Sequence, residues 1–320
     1  MKVILTGAAG FIGSCFLWKL NSLGIDDIIV ADTEASLKNN PNLAKKKFSD
    51  ALTREDLLKN IDKLNADVTV HLGACADTTE RDKDYLIRNN LEYSKTLAKS
   101  ALAKNKEFHY ASSAAVYGDG KAGYSDADSD NTKYTPLNLY GWSKHEFDKW
   151  LIEQKLTNRV VGYRYFNVFG PNEYHKGDMK SMVAKAYEQI LKTGRARLFA
   201  TSRAGYSDGS EERDFVYVKD ICDVMGFFLQ NKGKYGIFNL GTGKARSFKD
   251  LVLAVFAAMQ KPVDIDFIPM PEKLKGQYQY YTQADISRLR KAGYNEVFSR
   301  LEVSVADYVK HHLMTSDPIL

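Results

Sequence analysis

Two residues near the middle of this 320-residue chain could transfer a proton to or from an alcohol. Tyr140 and Lys144 are four positions apart in the sequence YGWSK, which places both side chains on one face of a helix. Ionising a free phenol at pH 7 costs about 4 kcal/mol, because its pKa is about 10. A neighbouring ammonium favours the phenolate. The pair therefore predicts a tyrosine that exchanges a proton with a carbinol oxygen.

A glycine motif near the N-terminus predicts a binding site for the dinucleotide that would carry the hydride. Gly7, Gly10 and Gly13 follow a short apolar run and precede a stretch with helical spacing, residues 11–23. Strand, glycine turn and helix form the context of a dinucleotide site. The glycines let the backbone approach the pyrophosphate, and the helix N-terminus supplies N–H donors. Together the two motifs indicate an enzyme that moves a hydride to or from a carbinol carbon.

The residues alone leave the choice between NAD and NADP open. Asp32 ends the predicted second strand about 20 residues after the motif, where an acid accepts hydrogen bonds from ribose hydroxyls and favours NAD. Lys38, residues 45–47 and Arg54 follow, and any of these cations could meet a 2′-phosphate. The basic residues favour NADP slightly, and NAD stays possible.

A second match to the tyrosine–lysine spacing, Tyr117 and Lys121, encloses two glycines. Each glycine costs a helix about 1 kcal/mol relative to alanine, so we do not expect a helix there. Tyr140 opens a stretch with helical periodicity, residues 142–153, and is the better candidate.

Composition limits the class of protein. The 45 basic and 40 acidic residues leave a net charge of +5, which suits a small anionic ligand and gives no reason to expect a nucleic-acid partner. The three cysteines are isolated, so we expect free thiols and a cytoplasmic location. No apolar run approaches 18 residues, so no membrane span is expected, and the six histidines lack the spacing of metal ligands.

The first half of the chain alternates strand and helix patterns. Such alternation predicts a Rossmann-type α/β fold with a doubly wound parallel sheet. The later strands of this sheet are expected at residues 68–72, 108–113 and 159–164, with a long helix at 86–104. Ligands bind beyond the carboxyl ends of such strands, here residues 73–77, 112–113 and 165–171.

The second half predicts a smaller α/β substrate-binding lobe. We expect a helix at 180–191, a loop or hairpin at 198–212, a strand entering a helix at 213–220, and strands at 237–243 and 265–268. The dinucleotide-binding domain would comprise residues 1–170 and about 214–243. The substrate-binding domain would comprise residues 171–213 and about 244–320.

Five stretches together resemble the extended short-chain dehydrogenase/reductase family that acts on nucleotide sugars. They are TGAAGFIG (6–13), YASSAAVYG (110–118), YGWSK (140–144), RYFNVFGP (164–171) and RDFVYVKD (213–220). Three more resemble one branch of that family, whose members epimerise the exocyclic C6″ carbinol of an ADP-linked heptose: EYHKGDM (173–179), PEKLKGQYQ (271–279) and YTQAD (281–285).

The resemblance implies a mechanism and a role for several residues. The carbinol is oxidised to a ketone, the ketone turns its other face, and the same cofactor reduces it. Because the oxygen occupies different positions before and after the turn, two acid–base groups serve it, which map to Tyr140 and Lys176. Lys144 would hold the nicotinamide ribose and lower the pKa of Tyr140, while Ser113 would bond the reacting oxygen. The resemblance also implies NADP, a homo-oligomer and a product used for the lipopolysaccharide core.

Two sets of binding residues follow from the motifs and the resemblance. The cofactor set is Gly7, Gly10, Phe11, Ile12, Gly13, Asp32, Thr33, Lys38, Arg54, Leu72, Gly73, Ala74, Cys75, Ala76, Asn89, Lys144, Val168 and Lys176. The set for the ADP-heptose is Ser113, Asn167, Asp178, Lys185, Phe199, Ala200, Thr201, Ser202, Arg213 and Tyr278.

Three other classes of protein share this fold and differ in the residues that they need. A UDP-hexose 4-epimerase of the same fold needs only Tyr140, so a change at Lys176 would barely affect it. A sugar dehydratase carries an Asp-Glu pair after the serine strand, where this chain has Ser113-Ala114-Ala115. A non-catalytic dinucleotide sensor commonly lacks the tyrosine or the lysine. The stretch 202–212 is longer than usual for the family, so the resemblance does not predict the shape of the nucleotide pocket's rim.

Overall fold

A computed structural model of the chain describes residues 1–201, 205–272 and 278–320. The strands are β1 (Val3–Thr6), β2 (Ile28–Asp32), β3 (Asp50–Thr53), β4 (Val68–His71), β5 (Glu107–Ser113), β6 (Val160–Tyr165), β7 (Asn167–Phe169), β8 (Ala196–Phe199), β9 (Glu212–Arg213), β10 (Phe215–Tyr217), β11 (Gly236–Leu240), β12 (Arg246–Ser247) and β13 (Ile265–Ile268).

The helices surround these strands. They are α1 (Phe11–Ser22), α2 (Glu34–Asn39), α3 (Arg54–Asn60), α4 (Lys83–Leu86), α5 (Tyr93–Ala103), α6 (Leu139–Glu153), α7 (Met182–Thr193), α8 (Val218–Gln230), α9 (Phe248–Met259), α10 (Ser287–Lys291) and α11 (Leu301–Tyr308). Among the described residues there is no helix whose length and apolar character would suffice to span a bilayer.

Seven parallel strands form one sheet in the order β11-β6-β5-β4-β1-β2-β3. Its strands are runs of apolar residues because helices cover both faces. Successive side chains alternate between the faces: Val3 and Leu5 pack into one buried cluster, and Ile4 packs into the other. The predicted doubly wound α/β fold is confirmed.

The order in which strands are added to the sheet reverses at β1: β2 and β3 follow on one side of it, and β4 to β6 on the other. Such a switch point opens a crevice at the carboxyl ends of the strands, where ligands bind. Gly7 follows β1 and Gly73 follows β4 at this crevice, and the Gly73 N–H donates to the Thr6 hydroxyl at 3.2 Å. The glycine motif therefore opens onto the ligand-binding edge of the sheet.

A second, smaller group of elements lies beyond the sheet. Strands β8 and β13 pair in parallel, and α9 packs against both α7 and α11. Strand β11 returns to the large sheet beside β6, which supports the expected return of the chain near 214–243. The two-domain division and its boundaries stay a prediction.

Two elements differ from the expectation. The helix expected at 86–104 begins at Lys83 and contains a wider π-helical turn at Ile87–Glu92. The loop expected at 198–212 is shorter, because residues 198 and 199 complete β8 by pairing with β13. Periodicity along the chain did not reveal that pairing, since the partner strand is about 70 residues away.

Candidate active site

Helix α6 brings Tyr140 and Lys144 to the end of β5. The Asn138 side chain caps the helix by accepting from the Gly141 N–H at 2.7 Å. A Cβ atom on Gly141 would lie 2.8 Å from the carbonyl oxygen of Ala115, so only glycine allows this close packing. The cap and the glycine together set Tyr140 beside Ser113, the last residue of β5.

The surroundings of Tyr140 and Lys144 shift both pKa values. Burial raises the pKa of the Tyr140 phenol, and a hydrogen bond with Ser113 opposes that rise. Lys144 is 5% exposed and donates to the Ala111 carbonyl oxygen at 2.9 Å. Burial lowers the pKa of Lys144 to about 8. The expected lowering of the Tyr140 pKa by Lys144 stays a prediction.

Lys176 reaches the same site from a short irregular segment. This segment forms a 3₁₀ turn over Tyr174–Met179 that is kinked at Gly177, whose φ is +52°. The Lys176 ammonium lies 5.3 Å from the centroid of the Phe11 ring at the start of α1. Burial lowers the pKa of Lys176, Glu173 raises it and Lys185 lowers it. Lys176 therefore loses its proton more readily than a lysine in water.

One cavity of about 750 Å³ joins these groups. Tyr140, Lys144 and Ser113 line it from the sheet side, and Lys176 lines it from the segment that follows β7. The other expected residues on its wall are Phe11, Ile12, Leu72, Ala74, Ala76, Asn167, Val168, Lys185, Phe199 and Tyr278. The fold thus brings two separate candidate proton-transfer groups to one cavity.

The glycine turn has the shape of a cradle for a dinucleotide. A Cβ atom on Gly13 would lie 1.9 Å from the Gly7 carbonyl oxygen, and one on Gly7 would lie 2.6 Å from the Gly73 nitrogen. Gly10 is less crowded, with its nearest atom at 3.2 Å. Side chains are therefore excluded where the backbone would approach a pyrophosphate, and the residues present fit the group.

The expected adenosine side of this cradle contains one acid and one well-placed cation. Asp32 accepts from the N–H groups of Ala9 at 3.0 Å and Thr33 at 2.8 Å; burial raises its pKa. The Arg54 guanidinium lies 4.7 Å from the centroid of the Tyr93 ring and donates to the Asn89 side chain. Within the described part of the chain its buried Nε has no hydrogen-bond partner, so this N–H is an unused donor.

The other cations considered for a 2′-phosphate are engaged elsewhere. Lys38 is exposed and pairs with Glu34 one turn earlier on α2 at 2.5 Å. Lys45 pairs with Asp317, and Lys46 donates to the backbone oxygen of Leu320. Arg54 therefore differs from these lysines in having a donor without a partner among the described residues.

The far side of the cavity is lined by aromatic rings, among them Tyr278 and Phe248. Arg213, expected to contact the substrate, is not on the cavity wall but lies against these two rings. It is 5% exposed, and its guanidinium lies 4.9 Å from the Tyr278 ring centroid and 5.5 Å from that of Phe248. Its Nη1 donates to the Glu212 carbonyl oxygen at 2.9 Å. A guanidinium held between rings keeps its fork of donors in one orientation, which favours bidentate binding of a phosphate. Phe199 adds an edge contact to Tyr278 at 6.3 Å between centroids.

The remaining expected residues lie around the cavity or outside it. Gly73 and Cys75 sit in the turn after β4, and Asp178 is exposed on the Lys176 segment. The Ala200 N–H donates to the Ile268 carbonyl at 2.8 Å, and the Thr201 N–H donates to Asp208 at 2.8 Å. Ser202 lies outside the described residues. The site roles of all these residues stay predictions.

Sequence reasoning missed several residues on the cavity wall. On α7, Met182 and Gln189 flank the expected Lys185 at three and four positions, which is one helical face. That spacing could have revealed both. Phe248 and Leu251 come from α9, far away in the chain, and only tertiary packing brings them here.

The fold and the site together define a Rossmann-type, dinucleotide-dependent enzyme. Residues 3–241 match the NAD dependent epimerase/dehydratase family, and the chain belongs to this family. Its cofactor is a nicotinamide dinucleotide, and the enzyme is an epimerase.

Relatives over the whole length narrow the class. The chain is 46% identical to an ADP-L-glycero-D-manno-heptose-6-epimerase of Nitratidesulfovibrio vulgaris, covering 99% of each. It is 44% identical to the enzyme of that name from Fusobacterium nucleatum, covering 99% of this chain and 100% of the relative. The crystal structure of the Helicobacter pylori enzyme of that name matches with a TM-score of 0.82 and 28% identity, over 97% of this chain and 95% of that one.

Proposed function

We propose that this enzyme interconverts the two C6″ epimers of ADP-glycero-β-D-manno-heptose. The observation that carries the proposal is the meeting of Tyr140 and Lys176 in one cavity. Two proton-transfer groups suit a carbinol whose oxygen changes position during the reaction. The names of the relatives support an ADP-linked heptose as the substrate.

The bound dinucleotide supplies the oxidation of the carbinol and the reduction of the ketone, so the reaction has no net redox change. Tyr140 would exchange the carbinol proton in one orientation of the side arm, with Ser113 bonding the same oxygen. Lys176 would exchange it in the other orientation. Burial lowers its pKa, which brings its neutral, proton-accepting form within easier reach than that of a lysine in water.

The substrate would lie between the proton-transfer groups, Tyr140 and Lys176, and the aromatic residues on the far side of the cavity. Arg213 would bind the diphosphate through its fork of N–H donors. Phe199 and Tyr278 would contact the nucleoside at the rim, and Asn167 and Lys185 would contact polar groups of the sugar side. In this arrangement the exocyclic carbinol would lie toward Tyr140 and Lys176.

We further propose NADP as the dinucleotide. The support is Arg54, whose buried Nε has no partner among residues 1–201, 205–272 and 278–320. Arg54 follows Thr53, which pairs with Asp32, the acid that would bind the ribose. A 2′-phosphate would supply an acceptor to that nitrogen. We also propose that the enzyme is a homo-oligomer and lies in the cytoplasm. Light scattering of the purified protein tests its oligomeric state.

The experiment is epimerisation of ADP-D-glycero-β-D-manno-heptose by purified protein, followed by chromatography that separates the epimers. We expect turnover without added cofactor, and about 10²–10⁴-fold less in both Tyr140→Phe and Lys176→Met, the usual contribution of an acid–base group. Lys192→Met, an exposed lysine of α7, is the matched control. Turnover of a UDP-hexose instead, or a fully active Lys176→Met, would contradict the proposal.

A further inference from the structure

A buried carboxylate lies at the start of the segment that carries Lys176. Glu173 is 0% exposed, although the residues that follow it, His175, Gly177 and Asp178, are exposed. A carboxylate is rarely buried without partners, because its desolvation costs free energy. Its contacts therefore show what this residue holds in place.

Glu173 joins the two ends of the segment. Its Oε2 accepts from the Ser181 N–H at 2.5 Å, and its Oε1 accepts from the Ser181 hydroxyl at 2.6 Å. The Gly170 N–H is a more distant donor, at 3.4 Å from Oε1. Hydrogen bonds to a charged acceptor are among the stronger ones in proteins. One side chain thus closes the segment 173–181 into a loop.

The same contact sets the start of α7. The Ser181 hydroxyl caps this helix by accepting from the Ala184 N–H at 3.4 Å, and the Ser181 carbonyl accepts from the Lys185 N–H at 3.1 Å. Lys185 lines the cavity from the first turn of the helix. Glu173 therefore links the segment that carries Lys176 to the turn that carries Lys185.

These two lysines are like charges in one cavity, and each disfavours the charged form of the other. Glu173 supplies a negative charge that faces Lys176 and opposes the effect of Lys185. Burial raises the pKa of the Glu173 carboxyl, and the hydrogen bonds from Ser181 together with Lys176 oppose that rise and favour its charged form. The neighbouring His175 also faces Lys176. The carboxylate thus acts on Lys176 by position and by charge.

We propose that Glu173 is a positioning residue for Lys176, which holds its segment closed through Ser181 and stabilises its ammonium from the buried side. This inference rests on the proposed role of Lys176 as the second proton-transfer group. Tyr174 is held separately, by donating its hydroxyl to the Pro318 carbonyl oxygen at 2.9 Å. Without the link to Ser181, the part of the segment after Tyr174 loses its anchor at α7, and Gly177, with a φ of +52°, is a point where its backbone can bend. A displacement of about 1 Å at a reacting group can cost 10²-fold in rate.

Two variants separate position from charge. Glu173→Gln keeps the shape but removes the charge and one of the two acceptor oxygens. Ser181→Ala removes the hydroxyl bond and the helix cap but leaves the carboxylate. Glu153→Gln, at the exposed end of α6, is the matched control. The assay is epimerisation of ADP-heptose, with kcat and KM measured against pH for each variant at a known concentration of folded, cofactor-loaded protein.

We expect kcat to fall about 10- to 100-fold in both variants with little change in KM, and to be unchanged in Glu153→Gln. The limb of the pH profile that disappears in Lys176→Met should move to lower pH in Glu173→Gln, because the pKa of Lys176 loses its acidic neighbour. That limb should stay in place in Ser181→Ala. The other titratable groups that face Glu173, namely Cys15, Tyr174 and Tyr308, are common to all variants.

A kcat for folded Glu173→Gln within about twofold of the wild type, or an unmoved pH limb, would overturn the inference. If Glu173→Gln does not fold, Ser181→Ala decides, and full kcat in that variant overturns it. Failure of the proposed function gives a different result, because the wild type itself would not epimerise ADP-heptose.

Discussion

The sharpest test of the fold concerns an ion pair buried under the active-site helix. Asp148, one turn after Lys144 on α6, and Arg164 on β6 are both 0% exposed. The Asp148 carboxylate accepts from Arg164 Nε at 2.9 Å and from the hydroxyls of Tyr110 and Ser112 at 2.8 Å each. Asp148→Asn keeps this shape while it removes the charge and turns one acceptor into a donor.

We expect Asp148→Asn to lower the free energy of unfolding by about 3–5 kcal/mol, because it leaves the Arg164 charge buried and uncompensated. With a urea dependence of about 3 kcal/mol per M, the unfolding midpoint should fall by about 1 M or more. Tryptophan fluorescence is the assay, since Trp142 and Trp150, two of the three tryptophans, lie on α6 itself.

Asp307→Asn is the matched control. Asp307 also accepts from a tyrosine hydroxyl and pairs with a cation, Tyr217 at 2.6 Å and Lys219 at 2.7 Å, but its side chain is 32% exposed. Solvent screening should limit this loss to about 1 kcal/mol. Equal shifts in the two variants, or a loss under about 1 kcal/mol in Asp148→Asn, would refute the argument from burial.

Three further predictions address the cofactor and the site lysine. Burial lowers the pKa of Lys144 from 10.5 to about 8. Between these pH values the unfolded chain binds more protons than the folded one, so the free energy of unfolding should rise by about 3 kcal/mol as the pH increases. Urea unfolding midpoints measured across this pH range should rise in the wild type and not in Lys144→Met; equal pH dependences of the two proteins would contradict the prediction. Gly13→Ala should abolish dinucleotide binding measured by calorimetry, because its Cβ would lie 1.9 Å from the Gly7 carbonyl oxygen. Gly10→Ala should still bind the dinucleotide measurably, because its Cβ would lie 3.2 Å from the same oxygen. Arg54→Gln should weaken NADP binding about tenfold or more while leaving NAD unchanged, since hydrogen bonds to charged groups contribute about 1.5–3 kcal/mol; Lys38→Gln is its control, and an equal loss for both dinucleotides would exclude Arg54 as the phosphate contact.

The local elements were predictable from the sequence. The strand ending at Asp32, the glycine turn from Gly7 to Gly13 and the helix carrying Tyr140 each depend on patterns a few residues long. Periodicity and glycine placement report such structure directly, because backbone hydrogen bonds in a helix join residues four apart. The same short-range patterns argue against a helix at the second tyrosine–lysine match, Tyr117 and Lys121, and the glycines between them, Gly118 and Gly120, have positive φ.

Contacts between distant parts of the chain were not predictable in this way. The sequence showed Lys38, residues 45–47 and Arg54 as equal candidates for a phosphate, and their partners in the fold separate them. In the sequence Glu173 is one acidic residue among many. Its burial and its hydrogen bonds with Ser181 form only when the segment folds back.

The sequence by itself therefore determined the class of fold, the dinucleotide turn and the spacing of Tyr140 and Lys144. Tertiary structure alone decided that Lys176 shares a cavity with Tyr140, which cation remains available near Asp32, and which groups shift the pKa of each lysine. The physical reason is that secondary structure is set by short-range hydrogen bonding and apolar periodicity. Burial, charge pairing and cavity shape depend instead on residues that meet only after the whole chain has packed.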